Sequence, residues 1–152
     1  MRIREATMGD SAVIAQLMTQ LIEASGYESW QVPPEQIEEN LRKMADSDGY
    51  QVLLAEDEGQ VVGLLGLSFR HTLFYPAPSA LIDELVVERG HRRQGVGQRL
   101  LAEAIERCRA AGCCEIEVST ERFNEAAQVF YRQRGFNHEA VLFELEFGEN
   151  GG

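Results

Sequence analysis

The stretch Leu85-Val86-Val87-Glu88-Arg89-Gly90-His91-Arg92-Arg93-Gln94-Gly95-Val96-Gly97-Gln98-Arg99-Leu100-Leu101 restricts the fold more than any other part of the chain. It reads as an apolar strand, a basic turn carrying glycines, and a helix. Leu100, Leu101, Ala104, Ile105 and Cys108 recur at helical spacing and give that helix one apolar stripe. A strand joined to a helix in this way builds an anion site. Gly95 and Gly97 let the main chain approach a ligand closely and adopt φ > 0, so the N–H groups of residues 94 to 98 are expected to converge on phosphate oxygens at the positive end of the helix dipole. Arg92 and Arg93 add forked, permanently charged donors suited to phosphate.

Two familiar phosphate loops do not fit. A Walker loop requires Gly-x-x-x-x-Gly-Lys-Ser/Thr, and here Gln98-Arg99 follows the second glycine. A dinucleotide fold requires three glycines and a later acidic residue on a parallel strand. Taken alone, the turn also fits an ordinary strand-to-helix connection.

A chain of 152 residues suits one domain with a proper core, and 44% hydrophobic with 26% charged residues is the balance of a soluble globular protein. No apolar run approaches the roughly eighteen residues of a membrane span, and the start Met1-Arg2-Ile3-Arg4-Glu5 is charged, unlike a signal peptide. A cytoplasmic location without membrane attachment is expected. Cys108, Cys113 and Cys114 lie close together without a zinc spacing, which suits reduced, packed thiols. The net charge of −11 argues against nucleic acid as a partner and leaves room for a cationic small molecule.

Along the chain, Ile3 to Glu5 reads as a first strand. Asp10 is placed to cap a helix bearing Val13, Ile14, Leu17, Met18, Leu21 and Ile22. Gly26 to Trp30 breaks that helix, and Pro33-Pro34 starts another with Ile37, Leu41 and Met44 on one face. Tyr27 and Trp30 in the break either line an acceptor pocket or plug onto the core. Gln51 to Glu56 and Gln60 to Phe69 form β-rich runs around the turn Asp57-Glu58-Gly59, opening an antiparallel meander. A loop from His71 to Pro78, containing Phe74 and Tyr75, leads into Ala80 to Val87, where Asp83 and Glu84 fall on opposite faces. Cys114, Ile116 and Val118 alternate as a strand, Asn124 to Arg134 is a short helix ended by Gly135, and Val141, Phe143, Leu145 and Phe147 alternate as a last strand. Glu149 to Gly152 reads as a disordered tail.

The pattern Arg92-x-x-Gly95-x-Gly97 after an apolar strand, followed by Asn124…Phe130-Tyr131…Gly135-Phe136, resembles the GCN5-related N-acetyltransferase (GNAT) superfamily over nearly the whole chain. Leu67 to His71, Ile82 to Val87 and Val118 to Arg122 are similar, more narrowly, to its aminoalkylphosphonate and aminoglycoside acetylating branches. The resemblance implies one α/β (α+β) domain over residues 1–148, with a largely antiparallel mixed sheet of six to seven strands and about four helices. It also implies an acyltransferase that moves an acetyl group from acetyl-CoA to a primary amine of a small molecule by direct attack.

By that resemblance Leu85, Val86, Val87, Arg92, Arg93, Gln94, Gly95, Val96, Gly97, Gln98, Asn124 and Tyr131 hold acetyl-CoA, with the backbone of Leu85 to Val87 pairing to its pantetheine arm. Tyr131 becomes the general acid beside the cofactor sulfur, its phenol being less acidic than a thiol. Glu84 is the leading base, acting through water, or else a carboxylate that only attracts the substrate ammonium; Asp83 is the runner-up. Tyr27, Trp30, Tyr75 and Asp83 are the substrate-binding candidates. His71, His91 and His138 have no metal spacing, so no metal site is expected. Protein or peptide N-acetylation, and a non-catalytic acetyl-CoA-binding regulatory module, remain as alternatives. A homodimer is in keeping with the relatives, and the alternating last strand suits either an interface or an internal sheet edge.

Overall fold

A two-residue turn sets the sheet. Glu58 (φ 49°) and Gly59 (φ 80°) are both left-handed, the geometry whose twist matches the strands it joins, β2 (Tyr50–Asp57) and β3 (Gln60–Arg70). β1 (Arg2–Glu5) pairs antiparallel to β2, and β4 (Ser79–Val87) pairs antiparallel to β3. After α3 (Val96–Ala110) crosses over, β5 (Glu115–Val118) lies parallel to β4, giving the order β1-β2-β3-β4-β5. The computed structural model describes residues 1–27 and 30–148. The chain divides into two compact units, Met1–Val118 and Ser119–Gly152.

In the first unit both sheet faces are covered, so β2 reads apolar without alternation: Leu53, Leu54 and Ala55 are all fully buried. On one face α1 (Ser11–Ala24) and α2 (Pro34–Ala45) bring Ile14, Leu17 and Ile37 against Leu54, Leu64 and Val86. On the other, α3 packs on β3, with Leu100, Leu101 and Ala104 buried. Gly63 permits that approach, because a Cβ there would come within 2.9 Å of Leu100 Cδ1 and Val96 Cγ1. The start of α3 is thereby seated on the sheet. Asp10 does not cap α1 as the sequence suggests. Its carboxylate accepts from the Thr7 N–H (2.7 Å) and from both terminal nitrogens of Arg4, and Arg4 Nε donates to Glu56. The Arg4 guanidinium holds the Asp10 carboxyl down at about 2.

The second unit contains α4 (Glu125–Arg132), ended by Gly135 at φ 99°. Tyr131 is buried here, edge-on to Phe130 and Phe136. The expected six to seven strands reduce to five among the described residues, because Val141 to Phe147 belongs to no strand. Alternation prepares a segment to lie on a sheet, but a strand exists only where a neighbour receives its N–H and C=O groups. The tail assigned to 149–152 lies outside the described residues.

Candidate active site

The site begins with a break in β4. Gly66 stands opposite Glu84 and the next residue, Leu67, stands opposite Ile82, so Asp83 is the extra residue of a β-bulge. β5 pairs only with Ser79 to Ile82, which leaves the β4 edge from Asp83 to Val87 unpaired among the described residues. An extended ligand arm finds open main-chain donors and acceptors there. Glu84 lies across Gly66, where a built Cβ would overlap its Oε2. No hydrogen-bond donor reaches the Glu84 carboxyl among the described residues. Burial first, and the charge of Asp83 second, push it up to about 7. Asp83 is raised by burial too, opposed by a hydrogen bond from Ser68. Two adjacent carboxyl groups with unequal environments result, the more shielded one able to exchange protons near neutrality.

The open edge runs directly into the basic turn. Glu88 braces that turn, accepting from Gly90 N–H at 2.8 Å while His91 Nδ1 lies 2.8 Å from the same oxygen. Arg92 Nε donates to the Val87 carbonyl at 3.3 Å. Arg93 (φ 63°) and Gly95 (φ 82°) then turn the chain into α3. Gly97, expected to share the left-handed geometry, is instead in the first turn of α3, where its lack of a side chain opens the helix end. Val96 is buried and anchors the turn, while Arg92, Arg93, Gln94 and Gly95 are exposed. First-turn N–H groups have no intrahelical acceptor, so this is a cationic, donor-rich surface that fits a diphosphate.

In the second unit Asn124 is the N-cap of α4, its Oδ1 accepting from Ala127 N–H at 3.1 Å. Part of its side chain is thus committed to the helix. The Tyr131 hydroxyl has no hydrogen-bond partner among the described residues, and burial pushes it up to about 12. It stays protonated throughout the physiological range.

Tyr27 and Trp30 are exposed, and do not plug the core. Tyr75 sits before the far end of β4, where its hydroxyl donates to Glu115 Oε2 at 3.1 Å; Asp83 lies mid-strand. His71 lines a recess with Asp48, Phe69 and Arg70 beside the start of β4. No cluster of three or more metal-ligating side chains occurs among the described residues. No helix there is long and apolar enough to cross a membrane.

The model of the Acetyltransferase (GNAT) family matches residues 15–136. The chain belongs to the GNAT family. It is an acetyl-transferring enzyme of the mixed α/β GNAT fold. This GNAT chain is 28% identical over 145 residues to aminoglycoside N(6′)-acetyltransferase type 1 of Stenotrophomonas maltophilia, covering 93% of this chain and 90% of that one. It is 36% identical over 90 residues to the aminoalkylphosphonate N-acetyltransferase of Salmonella typhimurium, covering 59% and 58%. Among solved structures, a transcriptional regulator from Bacillus halodurans C-125 superposes with a TM-score of 0.83 at 26% identity, covering 95% and 99%. An aminoglycoside acetyltransferase from an uncultured soil metagenomic sample, in complex with sisomicin, has the same fold at a TM-score of 0.78 and 21% identity, covering 97% and 95%.

Sequence reasoning missed Gly66, Glu88 and the bulge at Asp83. A glycine inside an apolar strand is a general sign of close approach, and Gly63 and Gly66 both carried it. Nothing local marks Glu88 as the brace.

Proposed function

We propose that this enzyme transfers an acetyl group from acetyl-CoA to the primary amine of a small molecule by direct attack. The observation that carries this reading is the unpaired β4 edge, which leads without interruption to the donor-rich start of α3. A pantetheine arm pairs with Leu85 to Val87 while Arg92, Arg93 and the main chain of residues 94 to 98 hold the diphosphate. The side chain of Asn124 assists on the cofactor side. The incoming nitrogen forms its bond to the acetyl carbon, the carbon–sulfur bond breaks, and the nitrogen loses a proton to Glu84 through water. Tyr131 returns a proton to the departing sulfur. A carboxyl near 7 and a phenol near 12 suit those opposite tasks.

The amine acceptor is supported by the carboxyl pair Asp83 and Glu84, the net charge of −11, and the names of the two relatives, both of which acetylate amino compounds. Tyr27, Trp30 and Asp83 contact the acceptor in this reading, with Tyr75 a weaker candidate because Glu115 occupies its hydroxyl. Residues 1–148 act as one transferase domain in a cytoplasmic setting, in keeping with free thiols at Cys108, Cys113 and Cys114. A homodimer is part of the proposal.

The test is release of CoA thiol from acetyl-CoA on addition of a panel of small amines and amino-terminal peptides. Turnover with small amines that falls in Glu84→Gln is expected. Thiol release with peptides alone would overturn the acceptor assignment, and none with any amine would overturn the transferase reading.

A further inference from the structure

We infer that Ser68 is a positioning residue that decides which of the two carboxyl groups, Asp83 or Glu84, stays ionised, so that Asp83 pairs with the ammonium of the acceptor and Glu84 is left to take its proton. The inference rests on the transferase reading above. It starts from the register of β3 against β4. Leu64 stands opposite Val86, and both lie in the core beneath α1 and α2. Side chains alternate along a strand, so Gly66 and Glu84, two positions on, share that face, and so do Ser68 and Leu81. Asp83, two positions after Leu81, falls on it as well. The bulge makes both counts hold, because its extra residue sets Asp83 and Glu84 side by side on the face that carries Gly66 and Ser68.

Neighbouring carboxyl groups resist ionising together, and the one with the better partner ionises first. A serine hydroxyl carries a single proton to donate, so it serves one carboxylate at a time. Ser68 gives its bond to Asp83, while no donor reaches Glu84 among the described residues. Asp83 is also the exposed member of the pair and Glu84 the half-buried one. The anion therefore stands where an incoming cation can meet it, and the proton acceptor stands behind it.

The other charges of this face are taken up elsewhere. In β5, Glu117 lies opposite Leu81 and pairs with Arg70 at 3.2 Å, and Glu115 accepts from Tyr75 and Ser79. The one charged residue of α1, Glu23, is 3.0 Å from Arg89. In α2, Arg42 pairs with Glu38 and Glu39, and Lys43 lies 3.7 Å from Glu39, while Glu35 sits in its first turn. In β2, Tyr50 stands opposite Ser68. Asp83 is thus the charge that bears on Glu84, and Ser68 the group that keeps that charge in place.

The test is a residue-resolved carbon-13 NMR titration of the Asp83 and Glu84 carboxyls in wild type, Ser68→Ala and Ser68→Thr, with KM and kcat for a small primary amine followed over the same pH range. Loss of a hydrogen bond to a charged group should raise the Asp83 midpoint by about one pH unit in Ser68→Ala, and Ser68→Thr, which keeps the hydroxyl, should stay near wild type. KM in Ser68→Ala should rise up to roughly ten-fold toward the acidic end, where Asp83 has lost its charge, with kcat changing far less. An Asp83 midpoint unmoved in Ser68→Ala, or moved equally in Ser68→Thr, would overturn the positioning role. A moved midpoint with an unchanged KM would overturn the pairing of Asp83 with the acceptor. A wild type without turnover would overturn the transferase reading and that pairing with it, while the titration, which needs no substrate, still decides the role of Ser68.

Discussion

Replacing Glu84 by Gln gives the site a thermodynamic signature independent of any substrate. In the folded chain the carboxyl sits at about 7 instead of 4.5, because Gly66 leaves room for it to lie against the sheet away from water. Between those two values the folded state keeps a proton that the unfolded state has lost, so stability falls as pH rises through the window. The gap corresponds to at most about 3.4 kcal/mol at about 1.36 kcal/mol per pK unit. Glu84 is only half-buried, and solvent screening reduces this to about 1–2 kcal/mol. Glutamine carries no ionisation and escapes that loss. Urea unfolding of both proteins should therefore show wild type falling behind Glu84→Gln by about 1–2 kcal/mol between roughly pH 4.5 and pH 8. In kcat/KM, the acidic limb near pH 7 should vanish in the variant. A stability difference that stays flat across this range would refute the burial argument, and a retained acidic limb would refute the role as base.

Other consequences are open to direct measurement. Tyr131→Phe removes a hydroxyl without a partner among the described residues, so it should lower turnover roughly ten-fold or more while leaving the affinity for acetyl-CoA and the unfolding midpoint nearly unchanged; equal turnover would remove Tyr131 as the acid. Gly66→Ala places a methyl group where the Glu84 carboxylate lies, and should move the acidic limb of kcat/KM toward the ordinary carboxylate range as Glu84 is pushed into water. An unshifted limb would show that the glycine does not position the carboxyl.

The elements of the first unit were legible because local and global signals agree there. Glu58-Gly59 favours one turn, Pro34 starts a helix, and the stripe from Leu100 to Cys108 has one place to go. The turn before α3 was legible from Gly95, which takes the left-handed geometry, while Gly97, read the same way, is helical. What sequence could not supply was context. Asp10 has the residue type of a cap, but Arg4 and Thr7 recruit it through contacts that no local pattern encodes. Simple alternation put Asp83 and Glu84 on opposite faces, while the bulge that frees the β4 edge depends on where β3 and β5 pair. Val141 to Phe147 has the strand pattern but belongs to no strand among the described residues. Periodicity reports what a segment can bury, and pairing decides whether it does.

Calorimetric titration of CoA into wild type and into the Arg92→Ala, Arg93→Ala double variant measures whether the turn at the start of α3 grips a diphosphate. Each guanidinium contributes a charge-assisted bond of about 1.5–3 kcal/mol, so the double variant should bind at least about ten-fold more weakly with its fold intact. Saturable heat from wild type that weakens in the variant and at higher salt is the expected result. No heat from wild type, or equal affinity in the two proteins, would contradict the assignment of this turn as the cofactor site.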